Sequence, residues 1–357
     1  MPFVFSEVAT RALDEAERCV EDLRNRPVRG RDTKFRLAQT NMLAYTFAEF
    51  VPGFSTSHVF NTQPYGETVD QPLHNADAEG RLFFTADYEI KSSAQAKVGG
   101  DIFEIVSSAV MWNIAARWNA YMTGGKWPLR SGYPRPTVIP DPNRQVAVLN
   151  LPRGYDWVEL LTPPATEKIT FLRNELKSST LKLPTSTPDI AVVAIPENRR
   201  DNDLWRTEFQ NLSRLNQAEI QHAYRYLEGQ IEPGEILLAI ACKKSLRSDR
   251  LYQPLYEANI MQLLLEGHLG APRVEFEVHT LSHFGTDALT TYEAASLYSV
   301  LVPERVKHRA VRELYVPENA QGLARRLLDF LNERVQLIAP DDVGATAKLD
   351  INWPPSS

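Results

Sequence analysis

Three short apolar runs limit what this chain can become more than any other feature: Val146 to Leu151, Ile190 to Ile195 and Ile236 to Cys242. Each is shorter than an ordinary helix, partly β-branched, and bounded by proline, glycine or charge, so each predicts a strand buried on both faces. Val274 to His279 alternates apolar and polar side chains, and a further strand is expected around Val311 to Tyr315. Helical patterns fill the intervals. Asp101 to Met122 sets Ile105, Ala109, Trp112 and Ala116 along one stripe, and Ala320 to Val335 is amphipathic. Strands interleaved with helices predict an α/β fold with a central mixed β-sheet flanked by helices.

With 357 residues and 43% hydrophobic content, the chain is long enough to bury a substantial core. One domain is expected over residues 1–340, with an N-terminal helical part over about 1–50. There Val8, Ala12, Ala16, Cys19, Val20 and Leu23 sit at helical spacing between Glu7 and Arg24, and the pattern resumes from Phe35 to Phe50. Pro52 to Glu79 is polar and rich in turn-forming residues, and reads as a long surface loop. Gly99-Gly100 and Gly124-Gly125 read as turns. Residues 341–357 lack a core pattern and read as a flexible tail. The two cysteines, Cys19 and Cys242, lie far apart with no secretory leader before them, which predicts a reducing cytoplasm. No apolar run approaches the roughly 20 residues of a membrane helix.

A formal charge of −6 excludes a globally basic nucleic-acid coat. The distribution is more informative than the sum. Arg24, Arg26, Arg29, Arg31, Lys34 and Arg36 face one acid, Asp32, and Lys243, Lys244, Arg247 and Arg250 face Asp249. Solvated surface explains either patch alone, but an acidic protein can also focus positive charge in a cleft.

Pro188-Asp189 opens the second apolar run and Lys243 closes the third. If those strands are neighbours, a carboxylate and an ammonium meet at one end of the sheet. That pairing suits metal-assisted phosphodiester hydrolysis, in which a hard cation held by carboxylates and carbonyls activates water and a lysine offsets developing charge. By itself the pattern is also ordinary strand punctuation. Glu104 is a third candidate, although Asp101 and Glu104 fit a helix-capping box equally well. Arg247, Asp249 and Arg250 carry the chemistry to read G·C pairs, with arginine bidentate to guanine and aspartate accepting from cytosine N4. The same residues also fit a salt-bridged turn in which Ser248 or Asp249 caps the next helix. The histidines show no zinc-ligand spacing, and no Cys-x-x-Cys or Walker A loop is present.

Longer blocks go further. KKSLRSDR (Lys243–Arg250), PTSTPDIAVV (Pro184–Val193), KVGGDIFEIVSSAVMWN (Lys97–Asn113), LYQPLYEANIMQLLLEG (Leu251–Gly267) and VEFEVHT (Val274–Thr280) resemble, in order, the CCGG-recognising family of PD-(D/E)xK restriction endonucleases. The likeness runs from Met1 to about Ala339. It implies a restriction-endonuclease-like core in a bacterial cytoplasmic enzyme that cuts double-stranded DNA with Mg2+, for which Mn2+ substitutes. It also implies a type II site-specific deoxyribonuclease that works as a homodimer on a palindrome, with higher oligomers on DNA, and leaves four-base 5′ overhangs. Asp189 is then a metal ligand, Lys243 the catalytic lysine and Glu104 the acid. The usual (D/E)xK position here reads Ala241-Cys242-Lys243, so Glu104 replaces the missing acid and Cys242 offers its backbone carbonyl to the metal. Arg247, Asp249 and Arg250 carry over as readers of the CCGG core. Lys97 and Arg31 match positions that contact flanking bases, which favours CRCCGGYG. Two rival readings are a structure-specific repair nuclease and a non-catalytic DNA-binding protein with a decayed nuclease core.

Overall fold

The three apolar runs form adjacent strands. In the computed structural model, β1 (Val146–Asn150), β2 (Ile190–Ala194) and β3 (Ile236–Lys243) pair antiparallel, and β4 (Glu275–Thr280) and β5 (Glu313–Tyr315) add in parallel beyond β3. The structure describes residues 63–70, 74, 92–127, 135–183, 185–210, 212, 214–246, 251–281, 285–303 and 306–334. Consecutive residues of β1 and β2 are all buried, as are Ile236 to Cys242. Both faces of the sheet are therefore covered, which is why these strands read as continuous apolar runs rather than alternating ones.

The flanking helices are α1 (Ser92–Met122), α2 (Pro163–Ser178), α3 (Arg214–His222), α4 (Tyr252–Gln262), α5 (Thr286–Tyr292), α6 (Leu297–Leu301) and α7 (Ala320–Arg334). A wide π turn, Leu263–His268, continues α4. Among the described residues no helix is long and apolar enough to cross a membrane.

Helix α1 is the spine of the fold and packs against β1, β3, α3 and α7. The sequence stripe predicts one buried face, but Ile102, Phe103, Ile105, Val106, Val110, Met111, Ile114 and Trp118 are all buried. A helix surrounded by other elements is apolar all round. Two buried asparagines tie it down. Asn119 accepts from the Val146 N–H at 2.7 Å and donates to the Val146 carbonyl at 2.8 Å, so it occupies the open edge of β1. Asn113 makes the same pair of contacts with Phe209, both at 2.8 Å.

Four expectations need correction. Helix α1 starts at Ser92 rather than Asp101, so Gly99 and Gly100 are helical and not a turn. Two helical glycines each cost roughly 1 kcal/mol against alanine, and the burial of α1 outweighs that. The capping box fails for the same reason, because Asp101 and Glu104 stand well inside the helix, where no orphan N–H groups remain. Within the expected 52–79 loop, residues 65–70 form a helical turn with Tyr65, Thr68 and Val69 buried. The Tyr65 N–H donates to Glu318 O at 2.8 Å, and its hydroxyl lies 3.0 Å from Ser107 Oγ. Finally, β4 alternates in sequence, yet Glu275, Glu277 and His279 are buried with the rest. Their polar face meets α7: Arg326 donates to Glu277, whose Oε2 also lies 3.0 Å from His279 Nε2. Burial alone would raise the Glu277 pKa, but the His279 hydrogen bond and Arg326 outweigh it and hold the carboxyl at about 2.

The Gly124-Gly125 turn stands where the sequence places it, with Gly124 at φ +93°, a conformation that favours glycine. The two N-terminal helices and the tail at 341–357 lie outside the described residues.

Candidate active site

The N-terminal end of β2 lies between the C-terminal ends of β1 and β3, since Ile190 pairs with Asn150 on one side and Ile240 on the other. Three chain segments therefore deliver polar groups to one end of the sheet. Asp189, just before β2, is fixed by its main chain, whose carbonyl accepts from the Leu151 N–H at 3.0 Å. Its Oδ2 accepts from the Cys242 N–H at 2.6 Å and from Lys243 Nζ at 3.2 Å. The carboxylate thus continues the β2/β3 ladder where the main chain of β2 has left it. The residues of this ion pair are 54 apart in sequence, and their side chains are largely buried.

Lys243 is governed by opposing effects. Burial disfavours its charge, but the carboxylates of Asp189 and Glu257 outweigh burial and raise its pKa. The side chain remains an ammonium and acts as a fixed positive charge.

Glu104 reaches the same place from α1. Its Oε1 accepts from Asn150 Nδ2 at 2.8 Å, so the last residue of β1 orients the acid. Burial, then the nearby charge of Asp189, push the Glu104 carboxyl up to about 8. Arg153, in the turn after β1, pulls the other way while paired with Asp101 at 2.6 Å. Two crowded carboxylates of this kind favour a shared cation. Among the described residues no three His, Cys, Asp or Glu side chains group closely enough to hold a metal ion by themselves. A site of two carboxylates completed by main-chain carbonyl and water suits a hard divalent cation, which commonly keeps several waters.

Cys242 sits near the end of β3, in register with His279 of β4. Its thiol is buried, and burial together with Asp189 and Glu104 raises its pKa well above the ordinary value. The sulfur stays protonated.

One residue escaped the sequence reading. Glu257, on α4, is buried, accepts from Ser186 Oγ at 2.6 Å and Gln253 Nε2 at 2.8 Å, and interacts electrostatically with both Lys243 and Asp189. Burial raises its pKa, with Ser186 and Lys243 opposing. The signal was present: Glu257 is the only charged residue between Leu251 and Leu265, in a helix that is otherwise neutral. A lone acid in such a segment requires a partner, and here the partners come from the β2 and β3 ends.

The structure therefore brings Asp189, Lys243, Cys242 and Glu104 together. Lys97 lies on α1, one turn before Asp101, and its side chain is not described. Arg31, Arg247, Asp249 and Arg250 lie outside the described residues.

Comparisons with known proteins bear on the family and the fold. Residues 58–333 match the sequence model of the Cfr10I/Bse634I restriction endonuclease family. Among solved structures, the type IIF restriction endonuclease Bse634I with cognate DNA is similar at a TM-score of 0.64 and 16% identity, over 83% of this chain and 91% of that one. A second Bse634I structure gives a TM-score of 0.64 and 16% identity over 80% and 89% of the two chains. No curated protein sequence matches.

Proposed function

The chain belongs to the Cfr10I/Bse634I restriction endonuclease family, nucleases that act on DNA, and from that premise we propose that it is a Mg2+-dependent type II site-specific deoxyribonuclease. Its site is a CCGG-centred palindrome, CRCCGGYG in the SgrAI-like pattern, cut as a homodimer to leave four-base 5′ overhangs. The observation that carries the reading is the Asp189–Lys243 contact of 3.2 Å at the end of the β2/β3 pair, with Glu104 beside it.

In this reading Asp189, Glu104 and the Cys242 backbone carbonyl hold the cation. The bound metal supplies a more acidic water and offsets charge on the phosphoryl oxygens. Lys243, kept charged by Asp189 and Glu257, stabilises negative charge that develops on the phosphate and does not act as a general base. Asn150 holds Glu104 in place and Ser186 holds Glu257, so neither acid has to be ordered when substrate arrives. Arg247, Asp249 and Arg250 read the core bases; Lys97 and Arg31 read the flanks.

The test is to incubate the protein with a mapped plasmid and Mg2+ and sequence the ends. Cuts confined to CCGG-centred sites with four-base 5′ overhangs are expected. Asp189→Asn and Lys243→Ala should abolish cutting while duplex binding persists. Full cutting by either variant, or breaks scattered without regard to CCGG, would overturn the reading.

A further inference from the structure

The site gathers three carboxylates around one ammonium, and an anionic DNA backbone approaching it needs positive charge at the rim. Among the described residues two cations stand there, and both are held by an acid. Arg153 follows β1, its side chain 69% exposed, and pairs with Asp101 of α1 at 2.6 Å. Lys244 follows β3, its side chain 31% exposed, and pairs with Asp70 of the 65–70 turn at 2.5 Å. The sheet order places them on opposite sides of Asp189, which precedes the strand between β1 and β3. Neighbouring strands lie about 4.8 Å apart, so the ends of β1 and β3 that lead to the two cations are separated by about 10 Å.

We infer that Arg153 and Lys244 are a pair of phosphate-contacting residues, held in the DNA-free protein by Asp101 and Asp70 and transferred to backbone phosphates on either side of the scissile bond. The inference rests on the reading that duplex DNA crosses this site. The exchange is cheap because these ion pairs are open to solvent on at least one side and a phosphate replaces the carboxylate as acceptor. The holding elements are firm. The Arg153 turn is closed by the Tyr155 N–H to Pro152 O at 3.0 Å, with Gly154 at φ +82°. The Asp70 turn is pinned through Tyr65 to Ser107 of α1 and to Glu318, two residues before α7. Each acid therefore keeps its cation extended beside the site instead of folded onto the protein surface.

The experiment measures binding of the full chain to a fluorescent duplex in EDTA, with and without the CCGG core, over a range of salt. Removing one phosphate contact lowers the slope of log affinity against log salt by about 0.9. Arg153→Ala and Lys244→Ala should each produce that drop, the double variant about twice it, and the preference for CCGG should not change, because phosphate contacts carry no sequence information. Asp101→Asn and Asp70→Asn should tighten binding to both duplexes severalfold by freeing the cations. Wild-type slopes in both alanine variants, a drop in only one, or a loss confined to the CCGG duplex would overturn the inference while leaving the nuclease reading intact. Failure of the wild-type chain to bind either duplex would overturn the nuclease reading, and this inference with it.

Discussion

Replacing Glu104 by glutamine should stabilise the metal-free protein while slowing its cleavage of DNA. Burial and the charge of Asp189 hold the Glu104 carboxyl at about 8 instead of 4.5. Below pH 4.5 the group is neutral in both folded and unfolded chains and has no effect on stability. Between 4.5 and 8 the unfolded chain ionises while the folded chain keeps its proton, so stability falls by about 1.4 kcal/mol for each pH unit. By pH 7 the loss reaches about 3 kcal/mol. Glutamine never ionises and still offers an oxygen to Asn150, so it recovers that loss. In EDTA, Glu104→Gln should match the parent near pH 4.5 and melt higher at pH 7, by on the order of 5 °C. With Mg2+ it should cut at least tenfold more slowly. A melting temperature equal to or below the parent's from pH 5 to 8 would refute the argument, because it would show that Glu104 carries its charge without penalty.

Two further perturbations separate chemistry from architecture. Cys242→Ala should keep near-normal cleavage and metal affinity, because the thiol is buried and held protonated; loss of metal binding in a calorimetric titration would replace the carbonyl role with a thiolate. Glu277→Gln removes the buried negative charge that Arg326 and His279 share and should cost about 3–5 kcal/mol in a denaturant titration. Because Glu277 titrates at about 2, below the ordinary 4.5, its contribution is complete above pH 4.5 and is lost as pH falls toward 2. A parent and variant that lose stability in parallel over that range would show that the network is not the source.

The strands and the Asp189–Lys243 meeting were legible because both follow from one pattern. Continuous apolar runs identify doubly covered strands, and a polar residue at the end of such a run has to emerge at the sheet's rim. Residues whose placement depends on long-range packing were not legible. The start of α1 is hidden in the sequence by a polar opening and Gly99-Gly100, and it is the burial of the helix from Ile102 onward that sustains it. Glu257 reaches Lys243 because α4 folds back across the strand ends, a fact that no local pattern records. The burial of Glu277 and His279 contradicts the alternation of β4, and its cause, Arg326, lies 49 residues away. The role of Glu104 was open between a cap and an acid until the helix was seen to begin at Ser92.

The way β2 and β3 are joined separates the spacing of the catalytic pair from its geometry. Asp189 and Lys243 meet at one end of the strand pair, whereas the chain leaves β2 after Ala194 and re-enters β3 at Ile236 at the other end, beyond the register shift at Val192/Val193. The excursion between packs on α1 and β1 through α3 and Phe209, but its exposed turns, such as the one around Asp203, stand near the other end, where Arg200 donates to Asn143 just before β1. Insertions or deletions in those exposed turns would change the count of residues between acid and lysine without moving either side chain. Sequence distance between the two is thus a free variable for natural drift and for loop engineering, and a search for related enzymes that fixes this gap would discard chains whose reacting groups superimpose.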